Sequence, residues 1–472
     1  MKTRKIVALA LAALGASALY ATTAVDAMTT DPQVVMTYLL ARQRYPWNGK
    51  VDIDFSFSSA IPEAFAFIQF KATYVNKAGV TVTVPMKTFE QISLPWCTNA
   101  GSYRVTWDST ADAPNLVTTN LQYTVTANMA KYMIVDLSKG TTATADDPYP
   151  VTYMEECPDP TRDDGGWTDE YKTTKMVFRL VQPGTYTKGW NMNFTSWHDY
   201  QAHNATITRP FYLAIFECTQ GQVKQILGQN FGVEFNNAEF LDRRPVSAVS
   251  YNNWRGSASN GYCWPNHGSK VNPGSIIGLF RTRTGNDNGF DMPTETEWEY
   301  AARAGMNDAW GGDGLARSSM PASDSTGPTG GVENSLLSTL GRYKCNGGYV
   351  NNGGSYSYPD KSCTADYGTA VVGSYKPNAW GFYDMLGNAR ECTLDYRPGG
   401  MAGDSTIDYV GPDVADPSSA DGLSRAIRGG SFDTDAKTTS LVARPAIAAN
   451  NNACGCRFAW HFPFAGTQPE EE

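Results

Sequence analysis

The sequence predicts an α+β protein in two parts. An antiparallel β-sandwich over residues 31–137 is followed, after a linker at 138–172, by a larger domain of few helices and long loops over residues 173–463. Three observations carry this. Short alternating runs such as Val51-Asp-Ile-Asp-Phe-Ser-Phe57 recur through the first part between Gly, Asn, Asp and Pro, the pattern of half-buried strands joined by turns. The second part offers two clear helical signals, one from Thr219 to Leu227 and one from Thr294 to Gly305. From Gly305 to Ser374 the chain is dense in Gly, Ser and Asn and too long to be a mere connector.

The chain opens with Lys2, Arg4 and Lys5, then an apolar run from Ile6 to Leu14 and the small residues Ala16-Ser17-Ala18 and Ala24 to Ala27. The run is shorter than the ~20 residues a bilayer-spanning helix needs, so residues 1–27 read as a secretory signal. The mature chain is then expected to be secreted, periplasmic or at the cell surface, with no membrane span. After Val51–Phe57, the sandwich strands are expected at Phe65 to Val75, Val80 to Val84, Tyr103 to Trp107, Leu121 to Ala127 and Tyr132 to Leu137. Residues 138–172, rich in Thr, Asp, Pro and Gly, read as the linker. In the second helix Thr294 and Glu297 form a capping box, and Trp298, Ala301 and Ala302 fall on one face, which core packing explains without any chemistry. The tail 464–472 ends in Glu470 to Glu472 and reads as a frayed terminus.

A formal charge of -9 and a pI near 5.1, with no basic cluster, exclude a nucleic-acid binder. Nine cysteines in an exported chain imply disulfides and, being odd in number, at least one free thiol or an intermolecular link. Cys345 with Cys363 and Cys97 with Cys157 are candidate pairs. Cys454-Gly-Cys456 reads as halves of two disulfides or as a soft-metal site. His198 and His203 lack a third ligand for iron and read as surface residues. No Gly-x-Ser-x-Gly follows a strand, and no phosphate-cradling glycine loop precedes a helix.

The stretch Asn378 to Glu391 sets Asp384 and Glu391 around Gly387 and Ala389. A tight loop there could aim two carboxylates and two carbonyls at one point, an oxygen cage suited to calcium. Plain solvation explains the same acid pair.

Around this stretch several segments occur in order: Lys175-Met-Val, Pro183-Gly-Thr-Tyr, Phe211-Tyr-Leu-Ala-Ile-Phe-Glu-Cys-Thr219, Arg244 to Trp254, Met292 to Arg303, Arg428-Gly-Gly-Ser431, Ala443-Arg444 and Gly455-Cys-Arg457. The series resembles the formylglycine-generating, or sulfatase-modifying-factor, family over roughly residues 173–463. The resemblance implies a C-type-lectin-like fold and calcium ligands at Asp384, Gly387, Ala389 and Glu391. A second calcium site of the family has no clear match around Asn346 and Asp366. It also implies a copper-binding cysteine pair shortly after Arg-Gly-Gly-Ser, but the corresponding positions here are Thr434 and Thr439. Their hydroxyls are hard and redox-inert and cannot replace Cu(I) thiolates.

Arg390 stands where the family has a tryptophan, and Ser431 matches its pocket serine. The expectation is a calcium-supported binding or adhesion protein without copper, taking a protein, peptide or glycan on Arg390, Ser431, Phe432, Asp433, Asp435, Lys437 and Asn450-Asn451-Asn452, with Thr434, Thr438 and Thr439 on the same surface. Some relatives, the retroelement-diversified variable proteins, use such a surface to bind ligands. The alternatives are an oxidase with altered metal ligands, in which Cys392, Cys454 or Cys456 would take the copper, and a structural surface component.

Overall fold

The structure is a computed structural model of the chain. It describes residues 34–45, 48–59, 66–92, 94, 96–118, 121–189, 202–235, 239–262, 264, 270–285, 287–306, 337–344, 346, 350–352, 355–357, 368–397, 407–409, 424–434 and 436–461. The signal segment, the acidic tail, His198, Asp366, Asp435 and the Cys345–Cys363 pair fall outside the described residues. Two compact units emerge, Met1–Lys131 with Tyr153–Glu155 and Tyr132–Thr152 with Glu156–Glu472.

In the first unit two antiparallel sheets form. One has the order Val34–Gln43, Lys50–Ser59, Gly101–Asp108; in the other Ala66–Val75 pairs with Thr81–Val84, Trp96–Thr98 and Gln122–Met129. Alternation decides which face is buried: Val51, Ile53, Phe55 and Phe57 point inward, while Asp52 and Asp54 between them pair with Arg44, Arg42 and Arg104 on the outer face. Each inward side chain contributes about 1.5–3 kcal/mol on burial, whereas such partly exposed ion pairs contribute about 0–1 kcal/mol. The edge strand Val34–Gln43 was not legible, because Val35 and Tyr38 stay exposed and a register shift between Met36 and Tyr38 breaks its period.

The second unit is built on a six-stranded sheet in the order Phe290–Asp291, Ala459–His461, Phe211–Ala214, Lys175–Val181, Tyr132–Asp136, Val151–Met154. This differs from the sequence reading at the boundary between the two parts. Tyr132 to Leu137, expected to close the sandwich, pairs instead with Lys175–Val181, with Phe178 opposite Met133. The stretch 138–172, expected as a linker, holds a 3-10 turn at Leu137–Thr142 and the strand Val151–Met154. The reason is local: Met133, Ile134 and Val135 are all buried, a continuous apolar run that fits an interior strand covered on both faces better than a half-exposed sandwich strand.

A second sheet, Glu391–Tyr396, Ser424–Arg428, Ala446–Ala448, carries the site loops. Helices Gln220–Leu227 and Glu295–Arg303 both start on capping boxes, Thr219 with Gln222 and Thr294 with Glu297. A third helix, Ile276–Arg283, escaped the sequence reading because Gly278 stands where a capping box has Glu or Gln; Ser275 alone caps it. Its Phe280 meets Phe290 and Phe458 edge-on at 4.9 and 5.1 Å.

Trp298, Ala301 and Ala302 are buried as expected, but so are Glu295 and Glu299 on the same helix. Glu295 pairs with Arg444, and Glu299 with Arg303 and Arg428. A sequence pattern read for apolar periodicity has no means of seeing these buried ion pairs.

At the end of the strand Ala459–His461, His461 Nε2 lies 3.0 Å from Glu297. Burial lowers the imidazole pKa, but the Glu297 carboxylate outweighs it, and the net shift is upward from 6.5. A raised histidine pKa gives stability that is full below the ordinary value and lost as pH rises through the folded one. Denaturant titrations are therefore expected to show stability falling above pH 6.5 and His461→Gln flattening that fall; equal slopes for the two proteins would contradict the pairing.

Candidate functional site

The loop between Phe382 and Glu391 is shaped by left-handed backbone at Asp384 (φ 56°), Gly387 (φ 84°) and Asn388 (φ 60°). Gly387 is required sterically as well, since a Cβ there would lie 1.9 Å from the Arg342 carbonyl oxygen. Its N–H donates to Gly429 (2.7 Å) and that of Asn388 to Arg342 (2.7 Å), fixing the turn between two neighbouring segments.

The four residues expected to hold calcium share this turn, and their acids are buried: Asp384 is 1% exposed and Glu391 0%. Asp384 Oδ2 accepts from the Gly373 N–H at 2.7 Å, while Oδ1 is buried with no hydrogen-bond partner. Glu391 accepts from Arg457 (2.8 Å) and from Trp298 Nε1 (2.8 Å). Arg457 also donates to the carbonyls of Ala214, Ile215 and Tyr383 at 2.9 Å each.

A third acid, Glu217, joins them. Its carboxylate accepts from Asn388 Nδ2 at 2.6 Å and from the Ala389 N–H at 2.8 Å. Sequence reasoning assigned it no role, although a lone acid after the apolar run Phe211 to Phe216 is the kind of residue that is buried only with a partner. Burial and the neighbouring Asp384 and Glu391 push the Glu217 pKa well above the carboxylate range. Burial raises Asp384 to about 6. Three buried carboxyl groups thus surround one guanidinium, and one of their oxygens faces no donor. Both facts fit a cation held by oxygen ligands. Among the described residues no three His, Cys, Asp or Glu side chains are placed to hold a metal ion by themselves, so any cage here draws on backbone carbonyls.

Beside the loop lies a pocket of about 370 Å³ lined in part by Glu234, Ser247, Arg390, Ser431, Asp433 and Asn452. Arg390 Nη2 pairs with Asp433 at 3.0 Å, and Ser431 Oγ donates to the same carboxylate. Phe432 also touches the pocket but is 4% exposed and packs edge-on against Phe235.

Thr434 and Thr439 stand with their hydroxyl oxygens 3.1 Å apart, and Thr434 Oγ1 also bonds the Ser431 backbone. The two positions expected from the resemblance are thus brought together, with oxygens where Cu(I) requires sulfur, and the residues present do not fit that metal. Asn450 and Asn451 are exposed and do not line the pocket. Lys437 belongs to the short helix Ala436–Thr439. Glu234, bonded to Ser247 at 2.9 Å, was not foreseen, since nothing in its sequence neighbourhood marks it.

Among the described residues, the cysteines named as substitute copper ligands are placed as follows. Cys392 and Cys454 are joined in a disulfide, so neither offers a thiolate. Cys218 and Cys456 are free and buried, and burial pushes both thiols up. Cys456 is thus a thiol and not a disulfide half, and Cys157 is likewise free, so the expected tie to Cys97 is not made. His203 lies on the strand His203–Ile207.

The chain matches the model of the sulfatase-modifying factor enzyme 1-like domain over residues 167–462. It is similar to formylglycine-generating enzymes from Streptomyces coelicolor (31% identical over 145 residues, 30% of this chain and 35% of that one) and Thermomonospora curvata (28% over 148 residues, 30% and 38%). The match to the enzyme from Bos taurus is 29% identical over 143 residues, 30% of this chain and 29% of that one, so the chain spans about a third of the length of these relatives. Among solved structures, Treponema denticola variable protein 1 is 22% identical (61% of this chain, 96% of that one, TM-score 0.40). PvdO from Pseudomonas aeruginosa is 19% identical (60% and 94%, TM-score 0.39).

Proposed function

Because the chain belongs to the family of sulfatase-modifying factor enzyme 1-like domains, we propose that it is an exported, calcium-supported binding protein on that fold, without formylglycine-generating activity. The observation that carries this is the Thr434–Thr439 hydroxyl contact at 3.1 Å. A neutral oxygen pair neither holds Cu(I) nor forms a disulfide with a substrate cysteine.

The pocket beside it supports a binding role. Arg390 spends one nitrogen on Asp433 and keeps the rest of its guanidinium for a ligand, and Glu234 and Asn452 add an acceptor and an amide. Such a mixture suits a protein, peptide or glycan presenting hydroxyls, carbonyls or a carboxylate. Calcium is held, on this reading, by Asp384, Glu391 and the carbonyls of Gly387 and Ala389, with the orphaned Asp384 oxygen as the supporting observation. When bound, the ion supplies positive charge that locks the loop; this chain's own residues position Arg390 at the pocket rim. Among the described residues no helix is long and apolar enough to cross a membrane. The exported location, secreted, periplasmic or at the cell surface, rests on the amino-terminal sequence alone.

The test is metal content of the purified mature protein after loading with Cu(I) and Ca²⁺ and removal of the excess. Calcium is expected at one equivalent without copper, and Asp384→Ala is expected to abolish the calcium-dependent rise in melting temperature. Tight stoichiometric copper, together with oxidation of the cysteine in a sulfatase-type peptide, would sink the proposal. It would favour the second reading, an oxidase with altered metal ligands, which the likeness to formylglycine-generating enzymes supports.

A further inference from the structure

Among the described residues, three charged side chains line the pocket beside the loop: Glu234, Arg390 and Asp433. Arg390 and Asp433 neutralise one another at 3.0 Å, so the excess charge of the lining is negative and lies on Glu234. Its carboxylate is half-buried, and among the described residues no ammonium or guanidinium pairs with it. A neutral or anionic ligand covering that carboxylate strips its water and returns nothing, whereas a cation offsets the loss.

The bonding pattern narrows the cation further. Glu234 Oε2 accepts from the Ser247 hydroxyl at 2.9 Å, which leaves Oε1 for a ligand. The oxygens of Asp433 are already engaged by Arg390 and Ser431. A guanidinium is best matched by both oxygens of one carboxylate, while a single open oxygen suits the compact charge of an ammonium. The lining also bears on what carries that ammonium. A sugar ring packs its C–H face on an aromatic plane, but Phe432, the one aromatic residue of the lining, is 4% exposed and set edge-on against Phe235. The volume of about 370 Å³ suits one extended side chain with the backbone that bears it.

We propose that the pocket takes the ammonium of a lysine side chain from a peptide or protein partner. Glu234 holds the ammonium, and the remaining N–H groups of Arg390 bind backbone carbonyls of the same partner. The inference rests on the binding reading above and names what is bound.

The experiment titrates the full chain, in the presence of Ca²⁺, with acetylated and amidated tripeptides in which alanine flanks a central lysine, arginine, norleucine or glutamate, and with glucosamine. Calorimetry reads affinity and circular dichroism controls for folding. The lysine peptide is expected to bind about tenfold more tightly than the norleucine peptide, and Glu234→Gln to erase that difference. Ser247→Ala frees the second oxygen and should raise the arginine peptide relative to the lysine peptide, a change that a damaged fold does not produce; it decides the matter if the Gln variant does not fold.

Equal affinity for lysine and norleucine overturns the proposal, as does tighter binding of arginine or of glucosamine by the wild type, or binding of none of the probes. A norleucine or glutamate peptide bound best would overturn this inference and leave the binding reading standing. That reading falls by a different readout, copper uptake with oxidation of a cysteine peptide.

Discussion

Replacing Arg457 by Met is expected to destabilise the second unit by about 3–5 kcal/mol, the range for breaking a buried ion pair by removing one partner. In a unit of this size that corresponds to a fall in melting temperature of roughly 4–7 °C. Arg457 is fully buried and ties its own segment to three others: it pairs with Glu391 and donates to the carbonyls of the adjacent Ala214 and Ile215 and of Tyr383. Methionine fills part of the volume but leaves those acceptors unmatched and removes the guanidinium that Glu217, Asp384 and Glu391 share. Scanning calorimetry of Arg457→Met against Arg162→Ala, whose pair with Asp164 is exposed, checks this. Equal melting temperatures for the two variants would refute the role given to Arg457. Adding Glu391→Gln to Arg457→Met should recover part of the loss, because it removes one of the stranded charges.

Loss of the Cys392–Cys454 disulfide is expected to lower stability by about 4 kcal/mol on the chain-entropy account, for a bridge that closes a separation of 62 residues. The bridge does more than close a loop. Cys392 adjoins Glu391, and its N–H donates to the Gly455 carbonyl at 3.0 Å, so the bridge staples the strand carrying Glu391 to the segment carrying Arg457. The double change Cys392→Ala with Cys454→Ala should therefore weaken calcium binding along with the fold. Denaturant midpoints of the oxidised, reduced and double-alanine proteins provide the test; a midpoint unmoved by reduction would show that the bridge contributes nothing.

Much of the fold was legible because its signals are local. Val51–Phe57 alternates in the chain and alternates in space, and Thr294 with Glu297 caps the helix that the pattern announces. The local groupings were legible for a different reason: Asp384, Gly387, Ala389 and Glu391 lie in one short stretch of chain, and Thr434 and Thr439 in another, so a single turn brings each set together. Glu217 lies 171 positions before Asn388, and only the pairing of distant strands brings the two together. The same holds for Glu234 at the pocket and for Glu295 and Glu299 against Arg444 and Arg428, where charges that a helical pattern assigns to solvent are matched across the interior. Disulfide pairing was not legible at all, since proximity in the chain says nothing of which sulfurs meet.

The place of Tyr132–Asp136 in the larger sheet decides where this chain can be divided. A cut at residue 173, where composition suggests a new domain begins, would discard the neighbour of Lys175–Val181. That strand would then present a bare row of N–H and C=O groups, a template for stacking one molecule on the next. A cut just ahead of Tyr132 leaves the row covered. Severed at the wrong point, the domain would offer an edge on which fibres can seed.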